Sequence, residues 1–167
     1  MIMKVVGFDP GLRITGFGVI ELNGSTYSVI QAGVIRAVAQ QELALRLRDI
    51  YQGVKQILEE THPDEVAIEE LFSNYNHPRT AILMGHARGM IFLAASEKNL
   101  PIRSYPAKKI KQVLTGNGSA QKMQVQRAIQ SQLKLPRLPE PADVADALAV
   151  ALCHLNRSRG IFKGVSR

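Results

Sequence analysis

The chain has 167 residues, 46% of them hydrophobic and 21% charged, a composition that suits one globular unit with its own core and excludes a disordered chain or a collagen-like fibre. Its 21 Lys+Arg against 14 Asp+Glu give a net charge of +7, which points to a polyanionic partner. That charge is unevenly divided: residues 1–97 hold 8 basic and 11 acidic side chains, residues 98–139 hold 9 basic and none acidic, and residues 140–167 hold 4 and 3. Ordinary solvated surface mixes both signs, so the carboxylate-free stretch reads as a phosphate-facing surface.

In chain order, residues 3–9 form an apolar run closed by Pro10-Gly11, the pattern of a buried strand ending in a turn. Residues 14–22 and 27–35 read as two further strands joined at Asn23-Gly24, a strong hairpin signal, so three antiparallel neighbours are expected first. Between 42 and 60, Leu43, Leu47, Ile50, Val54, Ile57 and Leu58 recur at helical spacing, with Pro63 just beyond. Residues 66–71 make a fourth buried strand, and 73–77 a polar loop. The segment 79–98 reads as a helix that is apolar nearly all round, which requires cover on two sides.

A short fifth strand is expected at 102–105, then two basic helices at about 107–115 and 120–134, parted by Gly116-Asn117-Gly118. Pro136, Pro139 and Pro141 mark an extended connection, and an Ala-rich helix spans 142–155. Strands first, then strands alternating with helices, predict an α/β fold with a mixed sheet covered by helices. The expected organisation is a single domain over 1–158 and a basic tail over 159–167. Cys153, the only cysteine, lies in an apolar helical pattern and reads as a core residue in a reducing compartment. No signal-peptide pattern and no run of about 18 apolar residues is present, so a cytoplasmic protein without a membrane segment is expected.

Carboxylates occupy positions that do not favour them. Asp9 closes an apolar strand, Glu69 and Glu70 follow Val-Ala-Ile near the end of another, and Asp143 and Asp146 interrupt an Ala/Val/Leu helix. Half-buried acids are costly unless paired or bound to a cation, and hard divalent ions such as Mg²⁺ take such oxygen ligands. Asp143 and Asp146, three residues apart, share a helix face, and the surrounding alanines keep that helix thin enough to approach strand ends closely. Each acid also has a bland reading: Asp9 as a turn residue before Pro-Gly, Asp143 as a first-turn acid favouring the helix dipole, and one of Glu69 and Glu70 as a solvent-facing strand end. Asp146, in the second turn, has none.

The basic stretch places Lys108, Lys109 and Lys111 on one short helix. Ser119 is the expected N-cap of the next, with Lys122 at its third position, where a cation opposes the helix dipole unless a phosphate binds there. Arg127 belongs to the polar face of that helix. Phe72 and Tyr75, interleaved with asparagines and Arg79, offer a stacking platform beside the acids, although packing under the loop accounts for Phe72 equally well. Gly85 and Gly89 allow close helix packing, within the core or against a second chain.

Taken in order, Gly-Phe-Asp9-Pro-Gly-Leu-Arg-Ile-Thr-Gly, Ala-Ile-Glu69-Glu-Leu-Phe72, Gly-His-Ala-Arg-Gly, Gly-Asn-Gly-Ser-Ala-Gln-Lys122 and Ala-Asp143-Val-Ala-Asp146-Ala-Leu-Ala resemble the RuvC family of Holliday-junction endonucleases, over residues 3 to about 158. The first motif alone also resembles the phosphate loop of actin-like ATPases, which need a second loop and a longer chain. The RuvC resemblance implies an RNase H-like fold with a five-stranded mixed sheet flanked by helices, in a homodimer. It implies Asp9, Glu69, Asp143 and Asp146 as acidic catalytic residues, which selects Glu69 over Glu70. Lys111 and Lys122 then match DNA-binding and catalytic lysines, and Phe72 an aromatic contacting the junction. Symmetric cutting of two opposed strands of a four-way junction is implied, with Mg²⁺ or Mn²⁺, two ions per site, beside the RuvA–RuvB branch-migration complex. The rivals are a non-enzymatic junction-binding module and a related nuclease acting on RNA or plain duplex.

Overall fold

Strand β1 (Ile2–Asp9) runs through the middle of the sheet, and its alternation sends Val5 to one core and Val6 and Phe8 to the other, all three wholly buried. The computed structural model describes residues 2–71 and 78–160. Strands β2 (Ile14–Asn23) and β3 (Thr26–Arg36) complete the antiparallel meander, turned at Gly24, whose φ of 60° is the left-handed conformation that a two-residue hairpin loop demands. After helix α1 (Leu43–Thr61), β4 (Glu65–Glu69) returns parallel to β1, and after α2 (Pro78–Glu97), β5 (Ile102–Tyr105) lies parallel to β4. The sheet order is β3-β2-β1-β4-β5, the mixed five-stranded arrangement expected. Strand β4 ends two residues before the predicted limit because four-residue β5 runs out: its last residue, Tyr105, pairs with Glu69.

Helices α1 and α2 cover one face of the sheet. The other carries α3 (Ala107–Thr115), α4 (Lys122–Gln132) and α5 (Ala142–Ser158). Helix α5 lies almost against the backbone of β1 and β2. Side chains on Gly7 and Gly16 would fall on the Ala147 and Asp143 carbonyls, and one on Gly18 would come within 2.6 Å of Leu148. Gly7 pairs with Gly18, and Asp9 with Gly16, so the glycines form a smooth track that leads to Asp9. On the helix side Ala145, Ala147, Ala149 and Ala151 are all buried. Small residues on both surfaces thus set the depth at which Asp143 and Asp146 sit.

Two expectations change. Helix α4 begins at Lys122, with Gln121 as N-cap, not at Ser119: Gln124 Oε1 accepts the Gln121 N–H at 2.8 Å, and the Gln124 N–H reaches the Gln121 carbonyl at 3.0 Å. The Ser119 N–H donates to Asn117 Oδ1 at 2.9 Å and the N–H of buried Ala120 to the Asn117 carbonyl at 3.1 Å, which closes a turn ahead of the helix, and the first helical bonds run back to the Gln121 carbonyl. Lys122 therefore occupies the first helical position and not the third. Among the described residues, helix α2 is covered on one side only. Ala87, Ile91, Ala94 and Ala95 are buried, whereas the stripe Ile82, Gly85, Gly89 and Leu93 is exposed, with nothing within 4 Å of a side chain built on either glycine.

Gly16→Val is expected to force α5 off the sheet. Overpacking of this kind costs about 1–3 kcal/mol, read by urea unfolding. The substituted chain should lose more function than that destabilisation explains, because the shifted helix carries Asp143 and Asp146.

Candidate active site

The sheet pleat turns Asp9, Glu69 and Tyr105 toward α5, at the strand ends reached by the first two turns of that helix. Asp9, Glu69, Asp143 and Asp146 are all partly buried there, while Glu70 is exposed. Glu69 lies between two clefts. One of about 250 Å³ is lined by Glu69, Lys111, Lys122 and Asp146 over the apolar side chains of Ile110 and Val125. The other, of about 230 Å³, contains Asp9, Glu69 and Glu70. Asp143 borders a third and wider cleft with Arg13 and Arg46.

The electrostatics show how strongly these acids sense one another. Burial, then the charges of Asp146, Glu69 and Asp143, push the Asp9 carboxyl up to about 7 against the opposing effect of Lys122. Burial and Asp146 likewise raise Glu69, while Lys111 and Lys122 pull it back. Lys122 Nζ donates to Asp146 Oδ2 at 3.2 Å, a partly exposed pair at the mouth of the cleft. Among the described residues no three His, Cys, Asp or Glu side chains close into a ready metal cage. What exists is a cluster of oxygen donors with too much negative charge for its burial.

Of the other predicted residues, Lys111 is half-buried beside Glu69, and Lys109 lies on the same short helix, close enough to α5 for its charge to act on the Cys153 thiol. That thiol is fully shielded and is pushed up to about 12, chiefly by burial, in keeping with a core role. Lys108 packs against Gly118; Arg79, Ser119 and Arg127 are exposed and lie outside the three clefts around the acids. Phe72 and Tyr75 fall outside the described residues. Gly85 and Gly89 lie on the exposed stripe of α2 and line none of the three clefts around the acids.

Sequence reasoning missed the residues that hold the turn after Asp9. Wholly buried Thr15 donates its hydroxyl to the Gly11 carbonyl at 2.9 Å and accepts the Gly11 N–H at 3.3 Å. Arg46 of α1 donates from Nε and Nη2 to the Leu12 carbonyl, at 3.2 and 2.9 Å. A hydroxyl four residues after Gly11 was a legible signal for the first; nothing in the sequence marks Arg46.

Residues 5–154 match the family model described as crossover junction endodeoxyribonuclease RuvC. The chain belongs to the RuvC family. It is 48% identical to the RuvC of Rhodopirellula baltica over 89% of this chain and 84% of that protein. The solved RuvC of Thermus thermophilus superimposes with a TM-score of 0.88 at 33% identity, covering 95% of this chain and 96% of that one. A second structure of the Thermus protein, in complex with Holliday junction substrate, matches with the same TM-score at 32% identity and the same coverage. The family fold extends over both the acid cluster and the basic helices, and the RNase H-like expectation holds.

The raised Asp9 carboxyl has a measurable consequence. Below about pH 4 the group is neutral in both folded and unfolded chains; between about 4 and 7 only the unfolded chain ionises, so stability falls as pH rises. Without divalent ions, Asp9→Asn should unfold later than the parent at pH 8, by at most about 4 kcal/mol, and the difference should vanish near pH 4. Chemical denaturation of both proteins across that range checks it.

Proposed function

We infer that this chain is a structure-specific, metal-dependent endonuclease that resolves four-way DNA junctions in recombination and repair, cutting two opposed strands symmetrically. The observation that carries the reading is the joining, at one end of one sheet, of a partly buried four-carboxylate cluster with the start of a carboxylate-free basic surface. A junction-binding module needs the basic surface but has no use for mutually repelling acids held by a glycine and alanine seam. The Thermus relative solved with Holliday junction substrate favours a junction over an RNA hybrid or plain duplex.

The donor set fits a hard divalent ion. All four candidates are carboxylates, and the charge excess that raises Asp9 is what a cation would relieve. Asp9, Glu69, Asp143 and Asp146 would hold Mg²⁺ or Mn²⁺, two ions per site; such ions activate water and stabilise a leaving 3′-oxygen, giving ligatable nicks with 5′-phosphate. The protein's own groups do the remaining work. Lys122, at the first position of α4, stands beside Asp146 at the mouth of the cleft, where its ammonium would face phosphate charge as it develops. Lys111 flanks the same cleft from α3, and its apolar floor limits water there. Lys108, Lys109, Ser119, Arg127, Arg79, Phe72 and Tyr75 complete the proposed DNA-facing set, and the RuvA–RuvB complex is the proposed branch-migration partner.

A two-fold substrate calls for a two-fold enzyme. The exposed stripe Ile82, Gly85, Gly89 and Leu93 is the proposed isologous interface, its glycines allowing two helices to approach closely.

Incubated with Mg²⁺, the chain should nick a synthetic mobile four-way junction at symmetric positions, and EDTA should abolish this. Asp9→Asn or Asp146→Asn should slow cutting at least about a hundredfold with junction binding retained. Lys122→Ala should cost about a hundredfold as well. Equal cutting of linear duplex or RNA–DNA hybrid would refute the assignment. Ile82→Glu should convert a dimer to monomer in light scattering and uncouple the two nicks.

A further inference from the structure

A second polar cluster lies on the same face of the sheet, toward the other end of α5. Arg103 and Tyr105 of edge strand β5 point to that face, across from Glu65 at the start of β4. His154 follows Asp146 by eight residues, about 12 Å along the helix. The residue is 4% exposed. A hydrogen bond of 2.6 Å joins its Nδ1 to the Tyr105 hydroxyl, and its Nε2 stands 3.2 Å from Glu65 Oε2 without forming an aligned bond. Together with Ser104 and Arg157 these residues line an open cleft of about 430 Å³.

The two guanidiniums at its rim are held but not spent. Glu65 Oε2 faces Nε of Arg103 at 3.8 Å, which leaves the terminal nitrogens of a side chain that is 63% exposed. Arg157 is exposed and lies over the Tyr105 ring, its Cζ 5.4 Å from the ring centre, a contact made through the face of that ring and not through a hydrogen bond. Among the described residues neither guanidinium donates a hydrogen bond. Burial holds the His154 imidazolium below its usual range, so Glu65 is the single charge set against two arginines and nearby Lys109. A cleft rimmed by two arginine forks suits a tetrahedral oxyanion, which takes paired N–H donors from arginine.

Its position selects the source of that anion. Lys122 and Lys111 line the acid cleft, Lys109 lies two residues before Lys111 on α3, and the charges of Lys109 and Arg157 both reach Cys153 of α5, so basic groups recur between the two clefts and a polymer of phosphates is the ligand that reaches both. At a rise of about 3.4 Å per nucleotide, about 12 Å corresponds to roughly three to four nucleotides. We propose that this cleft is a second phosphate site, in which Arg103 and Arg157 grip a backbone phosphodiester of the bound DNA roughly three to four nucleotides from the bond being cut. This rests on the nuclease reading above and adds to it a contact outside the acid cluster.

The test measures binding of the full chain to a four-way junction in EDTA, by fluorescence anisotropy across a salt series. Arg103→Gln and Arg157→Gln should each reduce the slope of log K against log salt by about one, and the double substitution by about two, with binding about tenfold weaker near physiological salt. Scanning methylphosphonate linkages along the cut strand should find one or two positions, three to four nucleotides from the nick, that weaken the parent but not the double variant. An unchanged slope in a double variant with parental melting temperature overturns the site while leaving the nuclease assignment intact. Inorganic phosphate that raises the parent's melting temperature but not the variant's, with DNA slopes equal, makes it a small-anion site and also overturns the proposal. A parent chain that binds no junction refutes both readings together.

Discussion

Everything at the acid cluster depends on one contact, the near-touching of the α5 backbone and the backbones of β1 and β2. An ordinary helix packs on a sheet at side-chain distance, and carboxylates from its first turns would then stand well above the strand ends. Here Gly7 and Gly16 remove the side chains from one surface and a run of alanines thins the other. The acids are brought together by dispersion and hydrophobic burial acting elsewhere along α5, whose buried residues continue to Asn156. Their mutual repulsion is met from that packing energy. The arrangement is a case of local strain held by a surrounding core, as is common where charge must be concentrated.

The architecture was largely legible because its signals were local. Asn23-Gly24 announced the hairpin, the spacing of Leu43 to Leu58 announced α1, and the ten elements of the described residues overlap the segments expected, with some limits shifted, by two residues at the end of β4 and the start of α4. What failed depended on tertiary contacts. Ser119 looks like an N-cap by composition, but Ala120 is drawn into the core and the cap passes to Gln121, a residue type with little capping preference. The apolar α2 promised cover on both sides, and pattern alone could not say whether the second side belonged to this chain or another.

For the site, the residue types and the grouping of the acids were visible, but the contacts that hold them were not. Asp143 and Asp146 shared a face by arithmetic, and the thin alanine helix pointed that face to the strand ends near Asp9 and Glu69, as the structure has it; the Gly7/Gly18 and Asp9/Gly16 register that lets the helix come so close was not legible. Glu69 and Glu70 were equivalent as letters, and the pleat separates them, one toward α5 and the other toward solvent. Arg46, Arg103 and Arg157 passed unnoticed because each is a single basic residue in a basic chain. Charge counting found the carboxylate-free stretch, yet it left out Arg157, which joins that surface from the helix bearing the acids.

The buried cysteine has a practical consequence. Cys153 is the chain's only thiol, fully shielded, with its thiolate disfavoured well beyond neutral pH. The native protein is therefore silent toward maleimides and other thiol reagents as long as it stays folded. A cysteine introduced on the surface would be the sole reactive handle, so dyes or spin labels can be attached at chosen positions without first altering the core.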